Sequence, residues 1–207
     1  MSHTYEDLAL DDAFERQGTA EDWERHISEA VGYFVDGRLR SYYVQHPDVA
    51  QKALGALSYS KDLLTQGQAR AAVVFAVSAI EIGYKAALLR PIVSGLVHTE
   101  GLAEGVMILA TGHTGIDRFF DLLTAVLDEF GSVDLKTFVR SGAKRRFWDE
   151  MKEASALRND IIHKGDDVTL DAAARAVDVA EALLYAILPE VLHTLALELK
   201  SGRVVEA

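Results

Sequence analysis

The tract from Ala71 to Ile82 constrains the fold more than any other part of the chain. It reads A-A-V-V-F-A-V-S-A-I-E-I, which is apolar on nearly every side of a helix. A helix that is apolar all round belongs in the core of a protein. We therefore expect a buried helix from Gln68 to Leu89, which closes before Pro91 because the residue preceding a proline avoids the helical region.

The composition points to a helical fold built around this core. The chain has 207 residues, 49% of them hydrophobic, and three prolines. Strand signals are poor, so we predict an all-α antiparallel helical bundle. The chain lacks cysteine, which excludes disulfides and thiolate chemistry. The N-terminus lacks the pattern of a signal peptide, and the longest apolar run is shorter than the roughly 20 residues of a membrane span. We expect a cytoplasmic protein with no membrane segment.

The predicted organisation has three parts. Residues 1–46 form an N-terminal helical extension, residues 47–199 a helical domain, and residues 200–207 a tail. The extension contains a helix from Thr19 to about Phe34 and a connecting stretch through Tyr42 and Tyr43. The predicted segments of the domain begin with a helix from Pro47 to Thr65 that stops at Gly67, followed by the core helix. Glycine-separated short pieces at about 91–133 form an elaboration between long helices. A helical tract from Leu135 then bends at Ser141-Gly142, and a last helix runs from Leu170 to Leu199 with a kink at Pro189.

The polar exceptions in the core helix leave two interpretations open. Ser78, Glu81 and Lys85 lie on one stripe of the helix. The stripe is either a solvated face with a Glu81–Lys85 pair, or it carries Glu81 into a polar pocket, where the carboxylate needs a cationic partner.

The segment A-L-R-N-D-I-I-H-K-G, residues 156–165, concentrates polar residues at a predicted helix end. Residues five apart on a helix are separated by about 140°, and residues four apart by about 40°. Asn159 and His163 therefore share a face, whereas Arg158 and His163 do not. Gly165 is expected to end the helix, and Thr169 or Asp167 to cap the next one.

The segment R-N-D-I-I-H resembles the R-polar-x-x-x-H signature of the HEPN superfamily, the all-α domain of many prokaryotic toxins and antiviral defence factors. The apolar helix with A-V-S-A-I-E, residues 76–81, resembles the earlier core helix of those domains, whose acidic residue often faces the motif arginine. The similar region covers about 47–199. The resemblance leaves residues 1–46 unexplained and makes 91–133 an insertion.

The resemblance implies a metal-independent endoribonuclease without a cofactor, acting as a toxin or antiviral defence effector. Arg158, Asn159 and His163 would be catalytic, Glu81 would fix Arg158, and Asp160 would either tune these groups or only meet solvent. HEPN domains pair, so the resemblance also implies a homodimer with a composite site, an RNA substrate and an antitoxin or regulatory protein partner. Two alternatives remain. One is a non-catalytic HEPN module that binds RNA, a nucleotide or a protein. The other is an unrelated helical scaffold, which would keep Glu81 far from Arg158.

A net charge of −11 argues against bulk electrostatic coating of nucleic acid, so any RNA contact must be local. The concentrated basic patch is Lys144-Arg145-Arg146 with Arg140 before it. It is either a solvated face balanced by nearby carboxylates or a phosphate track for RNA. The remaining histidines lack metal-site spacing, so we expect no metal site.

Overall fold

The computed structural model describes residues 25–26, 36–97, 101–103, 106 and 133–207. The protein is mostly helical, which confirms the predicted all-α class. The elements in chain order are α1 (residues 36–45), α2 (Gln51–Thr65), α3 (Ala69–Ile82), a π-helical turn (Gly83–Leu89), α4 (Arg90–Leu96), α5 (Phe147–Lys164), α6 (Leu170–Ala182), a second π-helical turn (Leu183–Ile187), α7 (Leu188–Thr194), β1 (Leu197–Lys200) and β2 (Arg203–Glu206).

Helix α3 lies at the centre of the core, as its sequence predicts. It packs most extensively on α2 and α6 and also contacts α5. Val73, Val77 and Ile80 are fully buried. The short turn between α2 and α3 contains Gly67 at φ 74°, the predicted stop, and it makes the two helices a hairpin. Across that hairpin the buried Ser60 hydroxyl donates to a carbonyl of α3 at 2.7 Å.

The prediction that the core helix closes before Pro91 is wrong, because the helix continues as α4 to Leu96. Proline has no N–H to donate to the carbonyl four residues earlier, which is that of Ala87. The Tyr43 hydroxyl of α1 donates to this carbonyl instead, at 2.7 Å. The helix is also π-helical just before the proline, where the Arg90 N–H bonds to the carbonyl of Lys85, five residues back. A tertiary contact therefore lets the helix pass a residue that normally ends it.

The connecting stretch predicted through Tyr42 and Tyr43 is also wrong, because residues 36–45 are helical. Leu39 and Tyr43 are one helical turn apart and both are buried, so tertiary packing stabilises this helix. The Arg38 guanidinium donates to the carbonyls of Ser94 and Val97 at 3.1 and 3.2 Å and so ties α1 to the end of α4.

The tract predicted as a helix from Leu135 consists of turns up to residue 146, and α5 begins only at Phe147. The Asp134 carboxylate accepts from the backbone N–H of Lys136 and from the hydroxyl of Thr137, an arrangement that competes with helix formation. Gly142 at φ 77° then reverses the chain. Local side-chain bonding therefore replaces the predicted bent helix.

The last predicted helix ends at Thr194 instead of Leu199, and the residues expected to form its end and a tail form a β-hairpin. Ser201 and Gly202 both have positive φ, 50° and 79°, which is the geometry of a two-residue type I′ turn. The hairpin returns to the start of the domain, because the Val204 N–H donates to the carbonyl of Pro47 at 2.8 Å. Near Pro189, the predicted kink position, the helix passes through its second π-helical turn.

The two π-helical turns meet inside the core. A Cβ on Gly83 would lie 3.0 Å from Leu184 Cδ2 and 3.2 Å from Leu183 Cδ2, so a side chain there would force these leucines to move. The small residue permits close approach of α3 and α6 at their C-terminal ends.

Two further predictions lie mostly outside the described residues. They are the helix from Thr19 to about Phe34, of which residues 25–26 are described and helical, and the short pieces between 98 and 132. The continuous helix Ala69–Gly95 is apolar and long enough to cross a bilayer, although 61% of its most apolar window is buried inside the protein. A buried core helix has the same composition, and the cytoplasmic location stays a prediction.

Candidate functional site

The motif residues occupy the last two turns of α5. The helix carries Asp149 and Glu150 in its first turn and His163 and Lys164 in its last, which matches the polarity of the helix dipole. It ends at Gly165, in the left-handed conformation at φ 74°, as the sequence predicts. Thr169 caps α6, since its hydroxyl oxygen accepts from the Ala172 N–H at 3.2 Å.

Arg158 and Glu81 join α5 to α3. Arg158 Nη2 donates to Glu81 Oε1 at 2.8 Å, and the two side chains are 27% and 30% exposed. No ion pair joins Glu81 to Lys85 within the described residues. Of the two interpretations of the stripe, the geometry matches the one in which Glu81 turns toward a cation. The unrelated-scaffold alternative expects Glu81 to lie far from Arg158, and the structure does not have that arrangement.

Asn159 lies beside Arg158 and accepts a hydrogen bond from Arg158 Nη1 at 2.9 Å. The Arg158 guanidinium thus contacts Glu81 with one nitrogen and Asn159 with the other. The carboxylate on α3 and the amide on α5 hold the arginine at the boundary between core and solvent.

His163 is exposed, and within the described ranges its ring makes no hydrogen bond. It follows Asn159 by one helical turn and lies on the flank of α5, about 140° around the axis from Arg158. The chain therefore does not bring its own Arg158 and His163 to one point.

Asp160 contacts neither Arg158 nor His163. Its carboxylate accepts from Lys164 Nζ at 2.7 Å. This hydrogen bond and the charge of Asp160 raise the pKa of Lys164. Asp160 therefore belongs to a surface pair one turn apart on α5.

Arg140 was predicted to belong to the basic patch, but carboxylates of α5 and α6 bind its side chain. Its Nε and Nη2 donate to the two carboxylate oxygens of Glu150 at 2.8 and 3.1 Å, and Nη1 lies 3.3 Å from Asp178. The side chain is 14% exposed, so a phosphate would have to displace both carboxylates to reach it. Arg145 pairs with Glu153. Lys144 and Arg146 are exposed and remain candidates for contacts with RNA.

An exposed aromatic pair on α2 and α3 lies next to the motif, and the sequence gives no signal of it. Tyr59 and Phe75 are 51% and 37% exposed, and their ring centroids are 4.6 Å apart in a T-shaped arrangement. The spacing of apolar residues along the helix cannot reveal that Phe75 is exposed, because it lies in a tract that is apolar on nearly all sides. Phe75, Val74 and Ile161 line a groove beside the motif.

No three histidine, aspartate or glutamate side chains in the described part of the chain come together as a group that could hold a metal ion. Comparison with known proteins gives no match to a family model, a curated protein or a solved structure. The resemblance to HEPN domains therefore depends on the motif residues themselves.

Proposed function

We propose that the chain is a metal-independent endoribonuclease of HEPN type, acting as a homodimer and serving as a toxin or antiviral defence effector. The observation that carries the proposal is the bond from Arg158 to Glu81, which links the motif helix to the core helix in the arrangement that the resemblance implies. A chance occurrence of R-N-x-x-x-H would not require a carboxylate 77 residues away to meet the arginine.

The chemistry uses groups that need no metal. His163 takes the proton of a ribose 2′-hydroxyl, whose oxygen attacks the adjacent phosphorus while the bond to the 5′-oxygen breaks. A second histidine donates a proton to that leaving oxygen. The planar guanidinium of Arg158 stabilises the charge that builds on the phosphate oxygens. The products are a 2′,3′-cyclic phosphate and a 5′-hydroxyl.

A second copy supplies what one copy lacks. One chain offers a single His163, set about 140° around α5 from its own Arg158, whereas the reaction needs two proton transfers. Exposed apolar side chains near the motif support an interface there: Ile162 is 54% exposed, and Phe75 and Tyr59 lie on the neighbouring helices. We expect the Arg158 of one protomer to act with the His163 of its partner.

The test is incubation of total RNA with the wild-type protein and with His163→Ala in buffer that contains EDTA. His193→Ala is the matched control, because His193 is exposed on α7. The proposal expects new 5′-hydroxyl and cyclic phosphate ends with the wild type and the control, and none with His163→Ala. Cleavage that persists in His163→Ala contradicts the assigned chemistry.

The composite site has its own test. An excess of His163→Ala mixed with the wild type should suppress the wild-type activity once subunits exchange, because each mixed dimer holds one His163 where the reaction needs two. Activity that stays proportional to the amount of wild-type chain, with mixed dimers present by native mass spectrometry, would rule out a site shared between protomers.

A second candidate is a non-catalytic HEPN module that binds RNA, a nucleotide or a protein. One observation favours it: Glu81 and Asn159 already occupy the Arg158 guanidinium. This candidate expects no cleavage of any RNA. It also expects a lower unfolding temperature for Arg158→Ala, since the half-buried Glu81 carboxylate would lose its partner.

A further inference from the structure

A cavity of about 230 Å³ lies between α5 and α6, beside the turn that precedes α5. Its floor is apolar and comes from both helices: Ala154, Leu157, Ala172, Ala176 and Val179. Alanines at the helix–helix boundary leave the space open, because larger side chains at these positions would fill it. The cavity is larger than an apolar cavity of about 150 Å³ that accepts benzene, so it has room for one ring with a small substituent.

The rim of this cavity carries two arginines, Arg145 and Arg175, and two carboxylates, Glu150 and Glu153. Arg145 and Arg175 both approach the single carboxylate of Glu153. Arg175 is held loosely, with Nη2 3.8 Å from Glu153 Oε1, and it makes no hydrogen bond within the described residues. Glu150 also lines the cavity, but Arg140 occupies both of its oxygens.

Arg175 therefore offers a planar set of N–H donors above an apolar floor. A carboxylate matches two parallel donors of a guanidinium, and such bidentate bonds are stronger than neutral ones. The apolar floor favours a ligand whose body leaves water on binding. An anionic head at the rim and an apolar ring on the floor would satisfy both surfaces.

We infer that this cavity binds a small organic anion, a carboxylate attached to an apolar body about the size of one aromatic ring. The site is separate from the proposed ribonuclease centre, because Asn159 lies about 160° around the axis of α5 from Leu157, and His163 lies about 15 Å along the helix from Glu153. The inference does not depend on RNA cleavage.

The experiment is a two-dimensional ¹H–¹⁵N NMR titration of the full chain with sodium benzoate, against sodium chloride at the same ionic strength. We expect saturable shifts of the Ala172 and Ala176 amide signals. Benzamide has the same shape without the charge, and its affinity should be lower than that of benzoate by a factor of about ten or more. Absence of saturable benzoate shifts, or equal affinity for benzamide, overturns the inference.

Two variants, each with a matched control, locate the site. Arg175→Gln should weaken benzoate binding about tenfold, whereas Arg203→Gln, an exposed arginine on β2, should leave it unchanged. Ala172→Leu should fill the cavity and abolish binding, and Ala174→Leu, on the same helix but outside the cavity lining, should not. Equal effects of the two leucine substitutions would mean that benzoate binds elsewhere, which also overturns the inference.

Discussion

The hydrogen bond from Tyr43 to the carbonyl of Ala87 provides the sharpest test of how α3 continues into α4. The Tyr43 side chain is fully buried, and its burial raises the pKa of the hydroxyl, which therefore remains a donor. Tyr43→Phe removes this donor and little volume. The Ala87 carbonyl then loses its side-chain donor, and Pro91 has no N–H that could replace it. A buried acceptor without a partner costs about 1 to 3 kcal/mol.

We therefore expect Tyr43→Phe to lower the free energy of unfolding by about 2 kcal/mol. In a domain of this size each kcal/mol shifts the unfolding temperature by about 2 to 4 °C, so the expected decrease is about 4 to 8 °C. The measurement is urea denaturation followed by far-ultraviolet circular dichroism, with thermal unfolding as a second readout. The slope of the urea transition should not change, since the folded structure remains compact.

Tyr84→Phe is the matched control. The Tyr84 hydroxyl is also buried but has no hydrogen-bond partner among the residues that the structure describes. Its removal should be neutral or stabilising by up to about 1 kcal/mol, because an unsatisfied buried hydroxyl is costly. Pro91→Ala restores an N–H at residue 91, so Tyr43→Phe should cost less in that background. A Tyr43→Phe effect within about 0.5 kcal/mol of the Tyr84→Phe effect would refute the role assigned to this bond.

Two further predictions concern glycines and carboxylates. Gly165→Ala should destabilise the fold by about 1 kcal/mol, because φ is 74° at this residue. Gly55 lies in the exposed middle of α2 with open space around it, so Gly55→Ala should stabilise the fold by about 0.5 to 1 kcal/mol. Urea denaturation measures both free energies of unfolding, and changes of the same sign would contradict the backbone argument. Burial raises the pKa of Asp178, so this group makes the folded state less stable as the pH rises above 3.8, and Asp178→Asn should gain stability relative to the wild type over that range. The hydrogen bond from Thr137 lowers the pKa of Asp134, so Asp134→Asn should show the opposite trend, and parallel pH profiles of the two variants would be inconsistent with these shifts.

Structural features that depend on a pattern within one helix could be predicted from the sequence. The buried tract of α3 follows from its apolar residues, and the end of α5 at Gly165 follows from the preference of glycine for left-handed backbone. The angle between Asn159 and His163 follows from helix geometry alone. These features depend on residues close in sequence, and here no tertiary contact competes with them.

The errors at Pro91 and Arg140 share a physical cause, which is competition from contacts between distant residues. Pro91 is a reliable helix stop only when no other donor reaches the freed carbonyl, and Tyr43 lies 44 residues from Ala87. Arg140 looked like a surface cation because its carboxylate partners, Glu150 and Asp178, come from two later helices. Pairing across such distances cannot be obtained from one sequence by periodicity.

The sequence of the hairpin carries a local signal for two strands and a turn. The residues L-E-L-K and R-V-V-E flank Ser201-Gly202, and this pattern of two short runs around a two-residue turn is typical of a hairpin. The leucine- and alanine-rich segment before it favours helix, so the predicted helix runs on to Leu199, past its end at Thr194. In the candidate site, the face shared by Asn159 and His163 could be predicted from helix geometry. The contact of Arg158 with Glu81 could be expected only from the resemblance.

The hairpin also has a consequence for the order of folding. Its strand β2 bonds to Pro47, and Arg203 and Glu206 pair with Asp48 and Arg40, so residues near 40–48 acquire these partners only after about 155 more residues have been made. Contacts of such long sequence separation form slowly, because the loop entropy is lost before the contact is gained. On the ribosome, these contacts of residues 40–48 would form only after both strands emerge, whereas the contacts of Arg38 and Tyr43 with α4 and the turn before it could form earlier.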